Sequence, residues 1–175
     1  TGLGKRNYAI MLLAAQTGLR GCDIANLKRE NINWRMQKIQ IIQQKTNKPL
    51  TLPLPTEAGN AIADYLLNGR PQSNLPYLFL CHTGIIHSLD GRSISAIGAK
   101  ALSKSGIMSD IPRRGFHSFR RSFGTRLLQN EIPLDMLQQL LGHTNTDSVK
   151  PYLSVDELGL KKCALDMIPN KKAGE

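Results

Sequence analysis

Apolar residues recur at helical spacing along most of the chain, and one stretch alternates instead. From Lys5 to Gln16, the residues Ala9, Ile10, Leu12 and Leu13 fall near one face of a helix, and Gly18 stops the run. Asp23 is placed to cap a short second helix through Leu27, which leaves Arg20 in the turn between the two, three residues from a carboxylate that could hold it. Residues Lys38 to Gln44 and Leu50 to Leu54 are β-branched or alternating and flank the polar run Lys45-Thr46-Asn47-Lys48-Pro49, which predicts a hairpin with lysines at its tip. Thr56 then opens a helix to Leu67, closed by Asn68-Gly69, and Tyr77 to Leu80 reads as a third, brief strand. Ile94, Ile97, Ala101 and Leu102 mark another amphipathic helix, ending near Gly106.

The densest chemistry follows. The string PRRGFHSFRRSFGTR, residues 112–126, carries five arginines and His117, interleaved with Phe116, Phe119 and Phe123. A helix starting near His117 is expected to turn the aromatics inward and the bases outward. Pro133 suits the first turn of the next helix, Leu134, Leu137, Leu140 and Leu141 form its buried stripe, and Gly142 closes it just before His143. Pro151 cannot continue a helix, so Tyr152 is expected on a non-helical segment or at a helix start. Leu160, Cys163, Ala164 and Met167 make a last helical stripe before a charged tail. The pattern is mainly α with a small antiparallel β-sheet, an α+β fold.

At 175 residues and 41% hydrophobic, one domain can build an ordinary core. The net charge of +10 favours a polyanion as partner, with nucleic acid ahead of an anionic membrane surface. No stretch approaches the roughly 18 apolar residues of a spanning helix, so no membrane partner is expected. Cys22, Cys81 and Cys163 are odd in number and far apart, which reads as a reduced, cytoplasmic protein. The chain enters its first helix almost at once, and is expected to be part of a longer protein with a further domain upstream.

The 13 acidic residues are dispersed, so the clustered carboxylates of a two-metal nuclease are not expected. Cys81, His82 and His87 lack a fourth ligand at sensible spacing and read as a plain loop; no metal or cofactor is expected. Phosphoryl transfer without a metal needs other positive charge, and arginine forks match phosphate oxygens bidentately. His117 and Arg120, three apart on a helix, face one ligand together, although a DNA-facing basic helix without catalysis has the same pattern. Taken singly, His143 is a histidine at a helix C-terminus and Tyr152 a core tyrosine.

Five motifs in order change that weighing. Thr17-Gly18-Leu19-Arg20 with Asp23 and Leu27, a lysine at a hairpin turn, His117-Ser118-Phe119-Arg120, Leu140-Leu141-Gly142-His143, and Tyr152 nine residues later resemble the tyrosine recombinases, the phage-type integrase family, across residues 17–152. The resemblance implies the catalytic-domain fold of that family over residues 1–175, and site-specific DNA recombination or integration through a 3′-phosphotyrosyl intermediate, independent of metal and ATP. It implies Tyr152 as nucleophile, His117 at the base position, Lys45 protonating the leaving oxygen with Lys48 as runner-up, Arg20 and Arg120 on the non-bridging oxygens, and His143 as a third phosphate contact. Arg121 stands where many relatives have histidine, Asp23 where glutamate is frequent, and Pro151 directly precedes the tyrosine.

Lys48, Arg113, Arg114, Arg121 and Arg126 are assigned to the DNA backbone. The implied partners are double-stranded DNA, further copies of the protein as a tetramer on DNA, and DNA-bending accessory proteins. The family's N-terminal DNA-binding domain has no counterpart here, so weak DNA binding is expected, and a helix over residues 155–169 docks either in cis or on a neighbouring protomer. Two rival readings remain: a type IB topoisomerase, which shares the nucleophile and much of the pocket, and a DNA-binding module that no longer reacts.

Overall fold

The computed structural model describes residues 1–105 and 115–142. Helix α1 runs Gly2–Thr17, earlier than the apolar pattern begins, because the Thr1 hydroxyl accepts the Gly4 N–H at 3.2 Å and caps it. Its N-terminal half is also anchored by buried Arg6, whose guanidinium donates to the Leu80 carbonyl at 2.8 Å. Ala9, Ile10, Leu13 and Ala14 are fully buried, whereas Leu12 only borders the core. Gly18, at φ 63°, ends the helix in the left-handed conformation, with its N–H on the Ala14 carbonyl.

Helix α2 is a single short stretch, Gly21–Ala25. Arg20 occupies its N-cap, and Asp23 falls inside the first turn instead of capping. After a 3₁₀ turn at Arg29–Asn31 come the strands β1 (Ile32–Asn33), β2 (Lys38–Ile42) and β3 (Pro49–Pro53). They form an antiparallel sheet in the order β1-β2-β3, with Ile32 opposite Ile39 and Ile41 opposite Leu50. Ile39, Ile41, Leu50 and Leu52 face the core and their neighbours face water, the period-two pattern expected. The third strand is thus Ile32–Asn33, not Tyr77–Leu80; Tyr77 and Leu80 make only isolated bridges, to Lys28 and Ser88.

Helix α3 spans Thr56–Asn68 with Pro55, not Thr56, at the cap, and α4 spans Gly91–Lys104, capped by the Asp90 carboxylate accepting the Ser93 N–H at 2.7 Å. Helix α5 (His117–Gln129) and helix α6 (Leu134–Leu141) follow. Helix α1 packs on α3 and α5, and α2 on α4, around one main core. Leu137 and Leu141 form a small second cluster with Phe123, Leu127 and Leu128 between α5 and α6. The expected helix over residues 155–169 lies outside the described residues.

Gly18 sits where the two clusters meet. A Cβ there would lie 2.6 Å from Phe123 and 3.1 Å from Leu141, besides adopting a conformation that costs a side-chain residue about 1–2 kcal/mol. Gly18→Ala is therefore expected to destabilise the chain by about 2 kcal/mol or more in urea unfolding; a loss under about 0.5 kcal/mol would contradict this packing.

Candidate active site

The loop after Gly18 delivers Arg20, and the β2–β3 turn delivers Lys45. The two are joined by Gln43, which continues the inward parity of Ile39 and Ile41 and is buried. With its amide turned so that both ends are paired, Gln43 accepts an Nη1–H of Arg20 at 2.9 Å and donates to Thr46 Oγ1 at 2.8 Å and to the Gly142 carbonyl at 3.2 Å. Arg20 Nη2 also reaches the Gly142 carbonyl, at 3.4 Å. The rest of the Arg20 fork has no partner among the described residues, and the side chain is partly exposed.

Asp23 does not hold Arg20. Its buried carboxylate accepts the Gln44 N–H at 2.8 Å through Oδ1, fastening the hairpin to α2, while Oδ2 is buried without a partner among the described residues. The turn itself is closed by the Gln43 backbone, whose N–H donates to Lys48 O and whose carbonyl accepts from Asn47 N–H, both at 2.9 Å. Lys45 follows two residues fixed in this way and is exposed.

Arg120 departs from the expected outward face of α5. It is buried, donating from Nη1 to the Gly18 carbonyl at 2.7 Å and from Nη2 to the Leu141 carbonyl. One guanidinium thus ties the C-terminus of α1 to that of α6, where carbonyl dipoles favour a cation. Gly142, at φ 60°, lets α6 end against this group; a Cβ there would lie 2.3 Å from the Gln43 amide.

His117, at the exposed start of α5, completes the cluster. Its pKa is held below the ordinary histidine value, first by desolvation and then by the positive charges of Arg120, Arg121, Arg20 and Lys45. Those four cations come from three separate parts of the sequence, and each disfavours the protonated ring. Near neutral pH the ring is therefore uncharged and able to accept a proton.

The structure brings together Arg20, Lys45, His117 and Arg120. His143, Tyr152, Arg113 and Arg114 lie outside the described residues, although His143 directly follows Gly142. Among the residues assigned to DNA, Lys48 is exposed on the hairpin turn, and Arg121 is partly exposed near His117. Arg126 is exposed as well, and it donates to the Ala15 carbonyl at 2.8 Å, bracing the end of α1. Sequence reasoning missed Gln43; the available signal was a polar residue at a core-facing strand position. His82 meets the Tyr65 hydroxyl at 3.3 Å and His87 the Ile85 carbonyl at 2.8 Å.

A family model described as the phage integrase family matches residues 2–158. A Sinorhizobium fredii protein named as an integrase/recombinase, y4gC, is 35% identical over 167 residues, covering 95% of this chain and 85% of its own length. Tyrosine recombinase XerD of Listeria monocytogenes is 33% identical over 166 residues, covering 92% of this chain, which spans only 54% of that relative. Among solved structures, XerA recombinase aligns with a TM-score of 0.77 at 24% identity over 95% of this chain and 59% of its own. XerH site-specific recombinase, in a post-cleavage complex with a palindromic difH substrate, aligns with a TM-score of 0.78 at 21% identity over 94% and 46%. The chain belongs to the phage integrase family, and its fold is that of tyrosine recombinase catalytic domains.

Two outcomes follow from the geometry. Arg120→Ala is expected to destabilise the chain by about 3 kcal/mol or more, since two charge-assisted bonds are lost and two carbonyls stranded. Arg20→Ala, at a partly exposed position, should change stability by less than about 1 kcal/mol. Equal losses in denaturant unfolding would contradict the buried and peripheral roles assigned here. In an NMR titration of the free chain, His117 should release its proton at a midpoint below the ordinary value of about 6.5, and Lys45→Met should raise that midpoint. A midpoint above the ordinary value would show that the surrounding cations do not reach the ring.

Proposed function

We propose that this chain is the catalytic domain of a site-specific DNA recombinase that cuts and rejoins strands through a phosphotyrosyl link. The observation that carries this reading is the convergence of Arg20, Lys45, His117 and Arg120 beside the end of α6, immediately before His143. Membership of the phage integrase family supports it, as does the net charge of +10.

The chemistry follows from the charges. The Arg20 fork, anchored on one side, offers its remaining N–H groups to a non-bridging oxygen, with the Arg120 charge beneath and His143 as a third contact. The Tyr152 phenol, ordinarily of pKa about 10, loses its proton to His117, and the phenolate attacks phosphorus. The P–O5′ bond breaks, Lys45 gives its proton to the departing oxygen, and the strand remains as a 3′-phosphotyrosyl ester. A 5′-hydroxyl from another strand reverses the sequence and releases Tyr152. One phosphodiester is exchanged for another, so no ATP is consumed.

No metal enters these steps, and among the described residues no group of three or more His, Cys, Asp or Glu is placed to hold one. Lys48 and Arg121 contact the DNA backbone. The working partners are double-stranded DNA, further copies of the protein and DNA-bending factors.

The test is covalent capture. The chain is incubated in excess EDTA with a pool of nicked duplexes of random sequence, and adducts stable to SDS are recovered and sequenced. An adduct is expected from the wild type and none from Tyr152→Phe, while Arg20→Ala should slow its formation about 10²–10³-fold. An adduct that needs magnesium, or one that persists in Tyr152→Phe, would overturn the reading.

A further inference from the structure

Gln43 occupies a position where Leu or Ile would extend the apolar face of β2 at no polar cost, yet a primary amide is buried there. Burial of an amide is unfavourable unless its donors and acceptor are matched. Here the matching partners come from three segments: the Arg20 guanidinium at 2.9 Å, the Thr46 hydroxyl at 2.8 Å and the Gly142 carbonyl at 3.2 Å. The last two fix the amide plane, and a fixed amide oxygen then fixes the guanidinium. Gly142 is shaped to this contact, since a Cβ there would collide with the amide.

The remaining Arg20 bond, 3.4 Å to Gly142 O, is long and by itself holds the fork weakly. Asp23, the nearby acid, is engaged with the hairpin backbone instead. Within the described residues, then, the direction in which Arg20 presents its free N–H groups is set mainly through Gln43.

We infer that Gln43 is a positioning residue: its buried amide, held by Thr46 and Gly142, aims the Arg20 guanidinium at the reacting phosphate. This rests on the reading that Arg20 binds that phosphate. Gln43 itself touches no substrate; it acts through Arg20.

The experiment uses the 175-residue chain and a nicked duplex recovered by covalent capture. Gln43→Met fills the same volume without the hydrogen bonds, and Thr46→Val removes only the partner that orients the amide, so the second variant remains informative if the first unfolds. Gln43→Met is expected to slow adduct formation about 30-fold or more and Thr46→Val about 3- to 10-fold, by analogy with the loss of a positioned donor. In an Arg20→Ala background each change should cost less than about threefold, because the group through which they act is gone. A purely structural role would instead slow both backgrounds by the same factor. Separately, ¹⁵N NMR of the free chain should resolve distinct Nη signals for Arg20 in the wild type and averaged ones in Gln43→Met.

Rates within twofold of wild type in both variants, or equal losses in both backgrounds, would overturn the inference while leaving the recombinase reading intact. A wild-type chain that forms no adduct would overturn that reading, and with it the catalytic role of Gln43; the NMR result would still decide whether Gln43 orders Arg20.

Discussion

The C-termini of α1 and α6 end side by side in left-handed glycines, and guanidinium groups are what hold them there. Arg120 takes the carbonyls of Gly18 and Leu141, and Arg20 shares the carbonyl of Gly142 with the Gln43 amide. Helix C-termini present unsatisfied carbonyls and a partial negative charge, so a cation is the natural cap for both at once. Everything else in the site depends on that junction. It anchors α5 through Arg120, three residues after His117, and it joins the main core to the smaller α5–α6 cluster. It also leaves the chain at Gly142, one residue before His143.

The arrangement concentrates like charge. Arg20, Lys45, Arg120 and Arg121 all disfavour the charged form of His117, while helix-end carbonyls accept from Arg20 and Arg120. On the proposed reading, such a site is organised for an anion before one arrives, and binding a phosphate would relieve repulsion instead of requiring rearrangement. The supports are correspondingly rigid: a buried aspartate on the hairpin backbone, a buried amide on the arginine and two helix ends. Lys45 is the exception, an exposed side chain on a fixed turn, which suits the proton-donor role proposed for it.

Much of this was legible in the sequence because it depends on local chemistry. The Gly18 and Gly142 stops, the alternation about Ile39, Ile41, Leu50 and Leu52, and the lysine-bearing turn each follow from a few neighbouring residues. Strand β1 was not legible, since two residues carry no period. The inward face of α5 is not legible from residue type alone. Arg120 lies four residues after Phe116 and three before Phe123, so helical geometry puts it on the aromatic, inward face, and only helix-end carbonyls distant in sequence make that burial tolerable. Gln43 was hidden for a similar reason: its partners belong to other segments, and its position shows only as a polar residue in an apolar register.

On the proposed reading, cations from separate parts of the chain define one oxyanion site. Crystals of the chain soaked in tungstate, whose anomalous signal locates it without ambiguity, test that most directly. The anion is expected on the open side of the Arg20 guanidinium, within hydrogen-bonding reach of Arg20 and His117 and beneath the Lys45 turn. Tungstate bound elsewhere on this basic surface, with that position empty at saturating concentration, would contradict it.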